Sequence, residues 1–220
     1  MKIFLDSADT KEIKELENLG IISGITTNPT LASKTGKTFK QLVEEIREIL
    51  SKDKIINLEV IATDAETMVV QGKALSLLDE RVVVKVPCTR DGIKACKILT
   101  EQGIRVNVTL VFSAMQAVLS ANAGAYFVSP FVGRLDDVSM EGVTIVEDIV
   151  KIYKNYNYKT QVLFASVRSL EHIMSAALLG VDIITSPYQF IMEMYNHPLT
   201  DAGLEKFLED WKNSGEEFIV

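Results

Sequence analysis

The sequence predicts an α/β fold, a single (β/α)8 TIM barrel over residues 1–220 with an additional C-terminal helix at 200–213. Three observations carry that expectation. Short apolar runs of strand type alternate with segments of helical period along nearly the whole chain, the pattern of a parallel sheet built from β-then-α units. About eight such units fit into 220 residues with no linker, low-complexity block or composition break, somewhat below the ~250 residues usual for such a barrel. The competing open doubly wound sheet is expected to carry a glycine-rich phosphate fingerprint after an early strand. Neither GxGxxG nor GxxxxGK[ST] occurs.

Taken in order, the first strand is read at 3–5 and is followed by a helix at 10–19 that Asp9 or Thr10 can cap. A second strand at 21–25 precedes a helix at 38–50, where Phe39, Leu42, Val43, Ile46 and Ile49 fall on one stripe. The third strand covers 55–61, and Asp64 opens the helix that runs to 78. Val82, Val83, Val84 and Val86, closed by Pro87, form a fourth strand buried on both faces, with 91–101 as its helix. A fifth strand at 104–108 leads to a helix that Ser113 caps and Gly124 ends. A sixth strand at 125–128, a long amphipathic helix at 140–153, a seventh strand at 161–165, a helix at 169–179 stopped by Gly180, and an eighth strand at 181–184 complete the barrel. A short helix at 187–194 precedes the last one, on which Phe207 and Trp211 stand four apart. They make an apolar stripe able to bury against its own barrel or a neighbour.

Composition narrows the function. With 47% hydrophobic and 24% charged residues the chain can build a full core. The net charge of −7, a pI near 5.0 and the lack of a Lys/Arg block interleaved with aromatics disfavour nucleic acid, but not a small phosphate held by two or three local cations. Cys88 and Cys96 have neither CxxC spacing nor a matching His pattern, which points to reduced thiols in an intracellular protein and to no zinc site. The stretch Ile3-Phe4-Leu5 is stopped by Asp6, too short for a signal-peptide core, and no run approaches ~18 apolar residues. The expectation is a soluble cytoplasmic protein without membrane contact.

Lys85 stands inside the valine strand. An ammonium taken out of water costs several kcal/mol unless something compensates, and burial drives lysines toward the neutral amine, a nucleophile that attacks carbonyls to give Schiff bases. A structural ion pair, or a grip on a ligand phosphate, would also account for a lysine here. The strand ends decide between these readings, because barrel enzymes place their chemistry there and alternate residues share a face. Phe4 shares a face with Asp6, Asn57 with Glu59, Val83 with Lys85, Asn107 with Thr109, Ser129 with Phe131, and Phe164 with Ser166 and Arg168. Asp6, Glu59, Lys85, Asn107, Thr109, Ser129, Ser166 and Arg168 would thus converge at one mouth. Singly, each has an ordinary use: Asp6 can cap a turn, Asn107 can bond backbone, and Ser129 before Pro130 can open a loop. Jointly, with carboxylates on the first and third strands flanking the lysine on the fourth, they favour a reaction site. His172, in a predicted helix, and His197, beside Pro198, stay outside it.

Three segments carry a resemblance: Gly24-Ile25-Thr26-Thr27-Asn28-Pro29-Thr30-Leu31, Val84-Lys85-Val86-Pro87-Cys88-Thr89, and Asn107-Val108-Thr109-Leu110-Val111-Phe112-Ser113. Phe4-Leu5-Asp6-Ser7-Ala8, Ser129-Pro130-Phe131-Val132-Gly133-Arg134 and Ala165-Ser166-Val167-Arg168 extend it over essentially the whole chain. The chain resembles the short, single-domain transaldolase family, which also contains fructose-6-phosphate aldolases. Residues 216–220 lie outside the matched motifs.

The resemblance implies that Lys85 forms the imine with the keto carbon of a ketose phosphate and that Asp6 takes the hydroxyl proton that starts carbon–carbon cleavage. It implies that Glu59 and Thr109 hold a water that shuttles protons. Thr26, Asn28, Asn107, Ser129 and Phe131 would contact substrate, and Arg134, Arg168 and Ser166 would bind its phosphate. No metal or organic cofactor is implied. Two matched positions separate the branches, Glu and Phe in the transaldolase pattern and Gln and Tyr in the aldolase pattern, and this chain has Glu59 and Phe131. The implied activity is therefore transaldolase of the non-oxidative pentose phosphate pathway. It would move a dihydroxyacetone unit from sedoheptulose 7-phosphate to glyceraldehyde 3-phosphate, giving erythrose 4-phosphate and fructose 6-phosphate. The resemblance also implies a homo-oligomer, rings of five that often stack into decamers, with the C-terminal helix crossing to a neighbour. A fructose-6-phosphate aldolase and a non-catalytic sugar-phosphate-binding protein, with Lys85 only an electrostatic partner, are the alternatives.

Overall fold

The computed structural model describes residues 1–217. Eight parallel strands, β1 (Lys2–Asp6), β2 (Gly24–Thr26), β3 (Ile55–Glu59), β4 (Val82–Pro87), β5 (Val106–Val111), β6 (Phe127–Pro130), β7 (Gln161–Phe164) and β8 (Ile183–Ser186), close in chain order into a barrel. The closing pair runs from Lys2 opposite Ile183 to Leu5 opposite Ser186. Around the strands lie α1 (Thr10–Leu19), α2 (Pro29–Ser33), α3 (Phe39–Ile49), α4 (Ala65–Ser76), α5 (Arg90–Glu101), α6 (Ala114–Asn122), α7 (Val132–Asp136), α8 (Gly142–Tyr156), α9 (Leu170–Leu179), α10 (Tyr188–Glu193) and α11 (Pro198–Ser214). The (β/α)8 barrel expected from the sequence is the fold.

Local chemistry sets the helix starts. Asp9 accepts from Lys11 N at 2.8 Å, Asp64 from Thr67 N at 2.8 Å, and Ser113 from Gln116 N at 3.2 Å, each satisfying an amide that the first helical turn leaves open. Alternation along the strands then sorts the core into two layers. Leu5, Ile25, Ile56, Val84, Val108 and Phe164 face the helices, while Phe4, Val83, Phe127, Leu163, Ala165 and Ile183 fill the barrel. Phe4 and Phe127 meet edge to face at 6.0 Å, closing the interior beneath the polar ends of the strands.

Apart from shifts of up to about three residues at the ends of other elements, β3, β6, β8 and α8 among them, the structure departs from the sequence expectations in four places. β2 begins at Gly24 rather than at 21, because Ile22 packs outside the barrel and the backbones of β2 and β3 approach closely at Gly24. A Cβ there would stand 2.5 Å from Ile55 O. β5 continues to Val111 through a register shift between Val108 and Val111, with Leu110 at φ 57. The five-residue helices α2 and α7 were not expected, since so short a segment shows no period.

The fourth difference concerns β7, where Leu163 and Ala165 face inward and Phe164 outward, so Phe164, Ser166 and Arg168 do not share an inner face. Ser166 nevertheless reaches the mouth because its backbone turns left-handed, at φ 62. Such a turn strains a residue with a Cβ by about 1–2 kcal/mol.

No residue of α11 is buried. Leu199, Leu204, Phe207 and Leu208 all lie exposed on it. Among the described residues no helix is long and apolar enough to cross a membrane.

Candidate active site

Parallel register brings the site together. On adjacent strands Asp6 lies opposite Thr26 and Thr26 opposite Asn57, while Glu59 lies opposite Lys85 and Lys85 opposite Asn107. These residues form two neighbouring rows on the inner wall, and the second continues from Asn107 to Phe127. Lys85 is 4% exposed. Its Nζ stands 3.0 Å from Glu59 Oε2 and donates to Thr27 O at 2.9 Å, so the amine is compensated and held in one direction. The carboxylate partner foreseen for a structural lysine is therefore present. What differs from a closed ion pair is that Lys85 also lines a cavity of about 100 Å³ at the C-terminal mouth of the barrel.

That cavity is lined by Asp6, Thr26, Asn28, Lys85, Thr109, Ser129, Phe131, Arg134, Ser166 and Arg168, together with Leu163, Ala165 and Thr185. Of the site residues expected from sequence, only Glu59 and Asn107 stand one contact back. Glu59 is on Lys85. Asn107 accepts from Ser129 Oγ at 2.7 Å and donates to Asn57 Oδ1 at 3.0 Å, and Asn57 donates on to Ile25 O at 3.0 Å. This buried chain crosses the barrel floor and fixes the Ser129 hydroxyl. Asn28 Oδ1 accepts from Leu31 N at 2.9 Å and so caps α2, which sets the asparagine at the rim.

Asp6 accepts from Thr26 Oγ1 at 2.7 Å, and Thr26 Oγ1 lies 2.6 Å from Thr185 Oγ1. Because the single Thr26 proton goes to Asp6, Thr185 donates to Thr26. Burial pushes the Asp6 carboxyl above the ordinary carboxylate range, and the Thr26 hydrogen bond and the charges of Lys85 and Arg168 oppose it. The Thr109 hydroxyl is buried with no hydrogen-bond partner among the described residues. An unmet buried hydroxyl costs about 1–3 kcal/mol, so this one, on the cavity wall, is suited to a molecule that enters. At the rim the Arg134 guanidinium sits 5.0 Å above the Phe131 ring, and Arg168 Nη2 lies 3.4 Å from Asp137 Oδ2. Both arginines are exposed. Among the described residues no group of three or more His, Cys, Asp and Glu side chains could hold a metal ion.

The pattern that defines the Transaldolase/Fructose-6-phosphate aldolase family matches residues 3–218. The chain belongs to this family. Similar proteins include a probable transaldolase of Anaeromyxobacter sp. (strain K), 52% identical over 96% of this chain and 97% of that one. Another is a probable transaldolase of Aquifex aeolicus (strain VF5), 50% identical over 99% of each chain. A third is a probable transaldolase of Geobacter metallireducens, 48% identical over 96% of this chain and 98% of that one. Among solved structures, a thiamine phosphate pyrophosphorylase from Pyrococcus furiosus superposes with a TM-score of 0.55 at 16% identity. It covers 84% of this chain and 85% of its own, a likeness of fold alone.

Three residues of this transaldolase/aldolase family member escaped the reading of its sequence. Thr185 continues the alternation begun by Ile183, and a strand extended past 184 would have found it. Asn57 was seen to share a face with Glu59, but nothing along the chain revealed its bond to Asn107. Gly133 stands in a segment that carries the family resemblance, but the sequence gives it no role: a Cβ there would lie 2.2 Å from Ser166 O and 2.5 Å from Arg168 Cγ. Only glycine lets α7 sit against the loop that carries Arg168.

Proposed function

We propose that the protein is a transaldolase, transferring a dihydroxyacetone unit from sedoheptulose 7-phosphate to glyceraldehyde 3-phosphate in the non-oxidative pentose phosphate pathway, through an imine at Lys85. The observation that carries this reading is a buried amine aimed by Glu59 and Thr27 on the wall of a cavity that also holds Asp6. The Lys85 nitrogen adds to the keto carbon, and loss of water gives the protonated imine. Asp6 takes the proton of the hydroxyl two carbons from the imine carbon. The bond between that hydroxyl-bearing carbon and the carbon adjacent to the imine then breaks, its electron pair enters the imine as an enamine, and an aldehyde leaves. The enamine carbon attacks the acceptor aldehyde, the alkoxide recovers its proton from Asp6, and water hydrolyses the new imine. Glu59 and the unpartnered Thr109 hydroxyl would hold the water that moves protons in imine formation and hydrolysis. Asn28, Asn107 and Ser129 suit substrate hydroxyls, and Arg134, Arg168 and Ser166 the phosphate.

Phe131 decides between transfer and simple cleavage. It lines the cavity and offers no proton, so the enamine waits for an acceptor instead of leaving as dihydroxyacetone. Phe131→Tyr should raise acceptor-independent release of dihydroxyacetone from fructose 6-phosphate about 100-fold and reduce transfer to erythrose 4-phosphate, a gain of the size that one placed acid supplies at the low end. A coupled assay with and without erythrose 4-phosphate reads both rates. If the unsubstituted protein already releases dihydroxyacetone as fast as it transfers it, the protein is a fructose-6-phosphate aldolase.

The same reading makes the protein a cytoplasmic homo-oligomer, in keeping with the free thiols of Cys88 and Cys96. The exposed apolar side of α11 supports an assembly of barrels, a ring of five or its stacked pair, in which α11 covers a neighbour. Sedimentation velocity should then find a multiple of the 24.4 kDa chain. A monomer at micromolar concentration would remove this part of the proposal.

A further inference from the structure

The two arginines at the cavity rim come from different elements. Arg134 is in α7, and Arg168 is in the loop between β7 and α9. Backbone bonds join the roots of these segments, Val132 N to Ala165 O at 3.1 Å and Gly133 N to Ser166 O at 2.9 Å. Arg168 itself is reached by a side chain. The Nδ1 of His172 accepts from the backbone N–H of Arg168 at 3.2 Å, and the Nε2 of the same ring stands 3.0 Å from Asp136 Oδ2, at the end of α7. Asp136 Oδ1 accepts from Gly142 N at 3.0 Å, so both carboxylate oxygens are engaged. The ring is largely buried, with Phe164 beside it at 5.9 Å.

Helix capping accounts for only half of this. Ser169 already caps α9 by accepting from His172 N at 3.3 Å, and a capping role for the ring would use Nδ1 alone. Here the second nitrogen leaves its own helix and ties it to α7. An amide N–H cannot accept, so Nδ1 must be bare and the ring proton must sit on Nε2, donated to Asp136.

We infer that His172, oriented by Asp136, is a positioning residue that fixes the backbone of Arg168 and thereby the spacing of Arg134 and Arg168 for one phosphate. This rests on the phosphate role proposed above. A dianion gripped by two guanidinium groups is sensitive to their separation, whereas the chemistry at Lys85 and Asp6 is not. The link should therefore act on phosphorylated donors only.

Asp136→Asn tests it without removing the ring. The amide oxygen of the new side chain stays with Gly142 N, and its NH2 group faces Nε2, which must then accept. The ring proton moves to Nδ1 and meets the Arg168 N–H, donor against donor. Nitrogen-15 spectra of the neutral rings should show His172 switching tautomer. His197, whose Nδ1 accepts from Leu199 N at 3.2 Å, should keep its own and serves as reference among the protein's 2 histidines. KM for fructose 6-phosphate should rise about 10-fold with kcat within about 2-fold, and kcat/KM for unphosphorylated fructose should not change. His172→Phe, which keeps a ring beside Phe164 and loses both bonds, should show the same donor dependence.

An unchanged tautomer in Asp136→Asn would overturn the link. So would an unchanged KM for fructose 6-phosphate in both variants, or an equal loss on both donors. Equal activity of the unsubstituted protein on fructose and fructose 6-phosphate would instead strike the phosphate reading, with the His172 spectrum still deciding the link.

Discussion

Replacing Lys85 by methionine should lower kcat for transfer by on the order of 10⁵-fold, the scale seen when the nucleophile of a covalent mechanism is removed. Methionine fills the volume of the lysine stem but cannot form an imine, and among the described residues no second amine lines the cavity. The substitution also leaves Glu59 without the partner 3.0 Å away, and an uncompensated buried charge costs about 3–5 kcal/mol. Destabilisation therefore adds to the loss of activity. Adding Glu59→Gln to Lys85→Met removes that charge and should restore the unfolding temperature while leaving activity at the background level. A protein in which Lys85 served only as an ion-pair partner would regain substrate turnover together with its stability. Turnover of Lys85→Met within about 10-fold of the unsubstituted enzyme would refute covalent catalysis.

Asp6→Asn should reduce kcat by roughly 10²- to 10⁴-fold, the usual range for a general acid–base group, and should leave imine formation intact. Reduction with borohydride should then trap the whole six-carbon donor on the variant, whereas the parent protein yields a three-carbon remnant. The pH dependence follows from the same residue. Burial raises the Asp6 carboxyl above the ordinary range, and the hydrogen bond from Thr26 is the largest influence opposing that rise. Only the ionised carboxylate can take a proton, so kcat/KM should fall as pH drops through this raised value. Thr26→Val removes the opposing bond, lifts the carboxyl further and should move the acid limb to higher pH. The sign for stability agrees: folding disfavours the ionised form of a raised carboxyl. Its stabilising contribution is therefore present below the unfolded pKa and fades as pH rises through the folded one. An acid limb unmoved by Thr26→Val would mean that another group controls it.

Much of this site was legible because a parallel strand has a period of two. Val83 and Lys85, Asn107 and Thr109, and Phe4 and Asp6 point inward as alternation requires, and the valines around Lys85 announced a strand covered on both faces. Alternation fails where the backbone leaves the extended region. Ser166 reaches the cavity by a left-handed turn that no pattern of residues encodes, and the bulge at Leu110 lengthened β5 beyond its expected end. Contacts between elements distant in the chain were equally hidden. His172 looked like an ordinary helical residue because Asp136, its partner, belongs to a five-residue helix too short to show a period. Gly133 could be understood only once Ser166 O and Arg168 were seen beside it.

The central claim is that Lys85 carries the dihydroxyacetone unit as an imine. Its most direct test is to incubate the protein with fructose 6-phosphate, reduce with borohydride, digest, and locate the modified peptide by mass spectrometry. The account predicts a single reduced three-carbon adduct on Lys85, absent without substrate and absent in Lys85→Met. An adduct on another residue, or none at all from a protein that turns over fructose 6-phosphate, would contradict it.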